Sequence, residues 1–203
     1  MNKEQTPYKK RHDYLLEVLD WVRTILICMV GVSIFVHFFF RPVQVDGQSM
    51  QPTLLNNEIG FSNVFSRLTG TIHRFDVVVV REPVSGDLWV KRVIGLPGET
   101  VKYEAGKLYI DGAYIKEPFL NKAYMIKDSG STDAFTKDFN TDGKVDYNND
   151  GKIEPLKSDE YFLVGDNRNN SYDSRSRGAF HEDEIVSKSV YIIYPFQKIG
   201  AVE

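Results

Sequence analysis

The chain has 203 residues, 42% of them apolar, and a formal net charge of -3, which leaves room for one membrane anchor and one domain. The charge is uneven: residues 42–203 carry 19 Lys and Arg against 24 Asp and Glu, and residues 1–41 carry 6 against 4. An acidic main body argues against a nucleic-acid partner, and the single cysteine, Cys28, excludes an intrachain disulfide.

The first predicted element is an apolar helix. Residues 24–40 read TILICMVGVSIFVHFFF, broken only by Ser33 and His37. At 1.5 Å per residue this run is roughly 26 Å long, close to a hydrocarbon core of about 30 Å once Trp21 and Val22 extend it. Trp21 and Phe38, Phe39 and Phe40 stand where interfacial aromatics belong. The following FFFRPVQVDG offers no small-x-small cleavage site, so a retained anchor is expected rather than a cleaved leader. The organisation expected is a cytoplasmic segment at 1–20, a transmembrane helix at 21–40 and a β-rich domain at 41–203. Lys3, Lys9, Lys10, Arg11 and Arg23 precede the apolar run, and only Arg41 follows closely. The positive-inside rule therefore puts the N-terminus in the cytoplasm and residues 42–203 outside. Pro42 is expected to end the helix.

Beyond it the chain reads as strand. RFDVVVVRE (74–82) has four consecutive valines, as a strand buried on both faces would. LWVKRVIGL (88–96) is a second strand. KLYIDGAYIK (107–116) sets an Asp-Gly pair between alternating apolar residues, a hairpin signal. YFLVG (161–165) and SVYIIY (189–194) complete the set. The only helical hint is a short turn near Val64 to Leu68. Residues 121–158 read as an irregular polar insertion. The fold class expected is mainly β.

Two side chains carry candidate chemistry. Ser49 lies in VDGQSMQPTL and Lys91 in WVKRVIGLPGE, 42 positions apart. A serine hydroxyl is a poor nucleophile until a base takes its proton, and lysine can be that base only when neutral. Its pKa must then fall from about 10.4 to near 7, at a cost of about 4 kcal/mol, and burial is the usual means. On an extended strand Lys91 shares a face with Trp89 and Val93, apolar neighbours that favour the free amine. Arg92 points the other way and needs a carboxylate of its own. Taken alone, each residue is more simply a solvated strand lysine and a turn serine.

Four segments in order change that weighing: GQSMQPTL, RFDVVVV, VKRVIGLPGE and VGDNRNNSYDSR. From the anchor to about Gly178 the chain resembles the type I signal peptidases of peptidase family S26, membrane-bound serine proteases that remove signal peptides from exported proteins. The resemblance implies Ser49 as nucleophile and Lys91 as general base. It implies that Ser171 hydrogen-bonds and orients the lysine, that Asp166 pairs with Arg92, and that Asp173 and Arg175 form a second structural ion pair. It implies preproteins as substrates, cut after small-x-small sites, at a membrane surface. The chemistry requires no metal or cofactor. Ser49 is nine residues beyond Phe40, so the chain can carry it at most about 31 Å from the outer membrane boundary. One position departs from part of the family. Two residues before the nucleophile, where some members have a serine that supports the oxyanion, stands Gly47. The oxyanion would then depend on backbone N–H groups, that of Ser49 foremost. Glycine here and the short insertion resemble the Gram-positive branch.

Residues 138–154, DFNTDGKVDYNNDGKIE, form a tandem repeat of period 8. Oxygen ligands at alternate positions before a glycine resemble half a calcium loop, but the closing glutamate is absent, with Asn149 and Lys157 in its places. A solvated loop of Asx and Gly turns is the plainer reading. Two rivals to the protease are a non-catalytic, membrane-anchored assembly factor or chaperone of the same fold, and a self-cleaving Ser/Lys protein. The first should have lost the serine or the lysine. The second should carry a DNA-binding domain.

Overall fold

In the computed structural model, residues 7–64, 70–129, 136–140 and 154–202 are described. Residues 65–68 of the short turn expected near 64–68, and the core of the acidic repeat, 141–153, lie outside them. The chain divides into two units, residues 1–40 and 41–203.

The first unit is one helix, α1 (Pro7–Phe39). Its stretch of membrane-spanning length and hydropathy is Tyr14–Val36, 23 residues with mean hydropathy 1.9. This window starts earlier than residue 21. Leu15, Leu16, Val18 and Leu19 supply apolar surface there, and only Glu17, Asp20 and Arg23 interrupt it. The helix stops before Pro42, which instead lies inside the strand β1 (Phe40–Gln44). A proline is tolerated there because β1 ends the strand path of its sheet.

The second unit is mainly β. Its larger sheet runs in the order β1, β2 (Ile59–Asn63), β11 (Ile185–Tyr194), β3 (Val77–Arg81), β4 (Leu88–Gly95), β9 (Glu160–Val164) and β10 (Phe180–His181), with β12 (Gly200–Ala201) paired to β11. The smaller sheet is β7 (Ala113–Ile115), β6 (Lys107–Ile110), β5 (Val101–Glu104) and β8 (Phe139–Asn140). The four valines behave as expected of a strand covered on both faces. Val77 and Val79 pack with Val45, Met50, Leu54 and Ile192, while Val78 and Val80 pack with Val93, Leu163, Phe180 and Ile185 on the other face. The predicted hairpin forms, with Ile110 opposite Ala113 and Tyr109 opposite Tyr114.

The insertion is not wholly irregular. It holds a helix, α2 (Lys122–Ser129), as well as β8. Asn121 starts α2 by accepting the Tyr124 N–H on its side chain at 3.0 Å. Met125, fully buried, fastens the helix to the domain. The polar insertion hid a helix that is held by buried Met125 and by Tyr124, whose hydroxyl donates to Gln51 Oε1 at 2.5 Å.

Candidate active site

Register explains the site. In β4, Lys91 stands opposite Val78 and Arg92 opposite Val77. Successive residues point to opposite faces, so these two cations are sent to different surroundings. Lys91 falls on the face of Trp89, whose ring centroid is 5.7 Å from Nζ. On its other edge β4 meets β9 only from Arg92 onward, where Arg92 pairs with Val164 and Val93 with Leu163. The edge of Leu88 to Lys91 therefore has no strand partner on that side among the described residues.

Ser49 comes to Lys91 on the turn after β1. The Met50 and Leu54 side chains of this turn are buried in the core beside Val45. Lys91 Nζ lies 2.9 Å from Ser49 Oγ. Lys91 is 4% exposed, and burial pushes its pKa down to about 8, with Asp173 pulling it back up, Arg175 pressing it down and Asp166 raising it. No carboxylate lies within ion-pair distance of the amine among the described residues. At pH 7 about a tenth of such an amine is neutral and can accept the serine proton.

A loop from Gly165 to Asp173 holds both partners. Asn167 N–H donates to the Ser49 carbonyl at 2.9 Å. Thr53 Oγ1, on the serine's own turn, donates to Asp166 Oδ2 at 2.5 Å. Gly165 is needed for this closeness: a Cβ there would sit 2.4 Å from the Ser49 carbonyl oxygen and 2.3 Å from Ser171 Oγ.

The paired charges are also built. Arg92 and Asp166, each with a side chain 1% exposed, make a two-pronged ion pair at 2.9 and 2.8 Å. Arg92 also donates to the Phe75 carbonyl at 2.8 Å, and its guanidinium lies 4.1 Å from the Phe119 ring centre. Asp173 receives Arg175 Nε and Nη2, both at 2.8 Å, and the Gly165 N–H at 3.0 Å. It also caps the short helix α3 (Ser174–Arg177). Burial works against an ionised Asp173, but Arg175 and these donors outweigh it and its pKa is lowered.

Ser171 departs from expectation. Its hydroxyl is buried near Asp173 but makes no hydrogen bond of normal geometry to Lys91 or to any other group among the described residues. Gly47 has φ +107°, a conformation that disfavours any side chain. Its N–H is occupied by Asn56 Oδ1 at 2.9 Å. The Ser49 N–H has no hydrogen-bond partner among the described residues.

Sequence reading missed three features here. Thr53 is part of GQSMQPTL, but its partner is 113 positions away. Arg168 is buried and donates to Tyr103 at 2.8 Å, to Thr136 at 2.9 Å and to Glu117, joining the loop to the smaller sheet. Its sequence neighbours give no hint of these partners. Tyr172 lies inside VGDNRNNSYDSR, where the motif assigns it no role. It lines a cleft of ≈ 320 Å³ together with Gln44 to Met50, Leu88 to Lys91 and Asn170. No group of three or more His, Cys, Asp or Glu suited to a metal occurs among the described residues.

Residues 18–194 match the model of the family described as signal peptidase, peptidase S26. Signal peptidase I P of Bacillus subtilis subsp. natto is 37% identical over 183 residues, covering 90% of this chain and 92% of that protein. Signal peptidase I S of Bacillus subtilis (strain 168) is 36% identical over 185 residues, with 90% and 92% covered. A crystal structure of a signal peptidase I from Enterococcus faecalis V583 aligns with TM-score 0.49 and 31% identity, over 58% of this chain and 96% of that one. This chain therefore belongs to the signal peptidase family, peptidase S26, and is a peptidase of signal-peptide processing with, among the described residues, one helix long and apolar enough to cross a membrane.

Proposed function

We propose that this protein is a membrane-anchored serine endopeptidase that cuts signal peptides from preproteins after small-x-small sites, with Ser49 as nucleophile and Lys91 as general base. The observation that carries this is the 2.9 Å approach of a buried amine, its pKa lowered to about 8, to the Ser49 hydroxyl. The neutral amine takes the Ser49 proton as Oγ attacks the scissile carbonyl. The oxyanion is met by the Ser49 N–H. The ammonium returns its proton to the leaving amine, and an acyl-enzyme remains. Lys91 then removes a proton from water, the water oxygen attacks the ester, and Ser49 recovers its proton as the acid departs.

Substrate geometry follows from the edge of β4 that has no strand partner among the described residues. An extended peptide can hydrogen-bond along Leu88 to Lys91, as an added strand does. Val45, Met50 and Val90 line this cleft with apolar surface suited to small side chains. Asp166 and Arg92, and Asp173 and Arg175, position the loop and take no part in proton transfer. The N-terminus is read as cytoplasmic and the β domain as extracytoplasmic, from the basic residues before the apolar run. The lipid bilayer and secretory preproteins are then its partners.

The test is cleavage of a preprotein by the full chain in detergent, comparing wild type with Ser49→Ala and Lys91→Ala. Both variants should lose activity by ~10³-fold or more. Full activity in either one would remove the dyad.

A further inference from the structure

We propose that Tyr172 is a specificity-determining residue that contacts the side chain of the first residue after the cut and favours a bulky apolar one. This rests on the signal-peptidase reading above. Its neighbours Asp173 and Ser174 are almost completely buried, whereas Tyr172 is 60% exposed. The exposure is not looseness. Asp173 is locked by Arg175 and by the cap of α3, which fixes the backbone beside Tyr172. Its ring rests edge-on against Trp89 at 5.8 Å and 90°, and Trp89 in turn meets Phe180 at 6.3 Å. A rigid aromatic with open surface in the cleft of the nucleophile is built to meet substrate.

The strand edges say which part of the substrate. The residues before the cut need shallow apolar surface, and Val45, Met50 and Val90 supply it beside the free edge of β4. That edge ends at Arg92, where β9 occupies it. A peptide running along the edge toward Lys91 must leave it there, past the loop that follows β9 and carries Asn170 and Tyr172. Tyr172 also touches Trp89, on the Lys91 face of the strand, and Lys91 must reach the leaving amine. The residue bearing that amine is thus the one set beside the Tyr172 ring.

The experiment uses two peptides with the same small-x-small site, one with Leu and one with Gly directly after the cut, and the full chain in detergent. Wild type should favour the Leu peptide by roughly 10-fold in kcat/KM, the scale of one apolar contact. Tyr172→Ala should bring the ratio close to one, and Tyr172→Phe should keep it. A ratio unchanged in Tyr172→Ala, including an equal loss on both peptides, would overturn the assignment and mark a structural role. No preference in wild type would overturn it as well. Cleavage of neither peptide by wild type is a separate result, which would refute the signal-peptidase reading itself. Ser49→Ala serves as the control that the cleavage measured belongs to this protein.

Discussion

Lys91 and Arg92 are neighbours on one strand, both cations, and almost equally buried at 4% and 1% exposure. They have been treated in opposite ways. Arg92 has a carboxylate with two hydrogen bonds, a carbonyl and an aromatic face. Lys91 has a serine hydroxyl and an indole at 5.7 Å. A buried charge that is fully paired fastens structure together, whereas a buried amine without a counter-ion holds its proton less tightly. The alternation of β4 makes this division possible within two residues.

The largest effect should come from removing the ability of position 91 to be neutral. Lys91→Arg keeps the cation but cannot release its proton near neutral pH, so kcat/KM should fall by ~10³-fold or more at every pH. In the wild type, by contrast, kcat/KM should rise about tenfold per pH unit below about 8 and level off above it. A flat wild-type profile across pH 6–9 would show that Lys91 is not the base.

Next is the paired side. Arg92→Ala leaves Asp166 buried without its partner and should destabilise the domain by about 3–5 kcal/mol in chemical unfolding. A loss under 1 kcal/mol would mean that the pair is not the fastening described here.

Lys91→Met should do the reverse and stabilise the fold by about 1–3 kcal/mol at pH 7. The native pKa of Lys91 lies below its unfolded value. Below about pH 8 the native state therefore holds a charge that it disfavours. Between about 8 and the usual lysine range the unfolded chain binds a proton that the native chain does not, so wild type gains stability there. The advantage of Lys91→Met should shrink across that window. Melting curves at pH 7 and pH 10 measure it, and equal gaps at both would contradict the lowered pKa.

The smallest effect is Thr53→Val, which removes one hydrogen bond to Asp166 and should cost about 1 kcal/mol. Activity should fall more than this stability change alone accounts for, because the serine turn is tied to the loop at that point. Equal kcat in the variant would show that the turn holds itself.

Much of this was legible in sequence. The four valines and the Asp-Gly hairpin follow from local pattern, since a strand with period 2 and a two-residue turn need no distant partner to be recognised. The phase of β4 placed Lys91 with Trp89 and set Arg92 apart, and that phase holds in the structure. α2 escaped because it is only eight residues long and its apolar Ala123, Tyr124, Met125 and Ile126 are consecutive, which gives no helical stripe.

What the sequence determined by itself was the family, the mainly β class, the apolar helix and the chemical identity of the serine, lysine and ion-pair residues, because these are properties of residue type and short-range spacing. Only the tertiary structure decided how strongly Lys91 is desolvated, that Thr53 reaches Asp166, that Gly165 must lack a side chain to let the Ser49 carbonyl in, and that Ser171 stands beside Asp173 rather than bonded to Lys91. It also decided that Arg168 is spent on Glu117 and Tyr103 and that Tyr172 stands open in the cleft. Each of these depends on how segments tens of residues apart are brought within a few ångströms, and burial and pairing exist only after that closure.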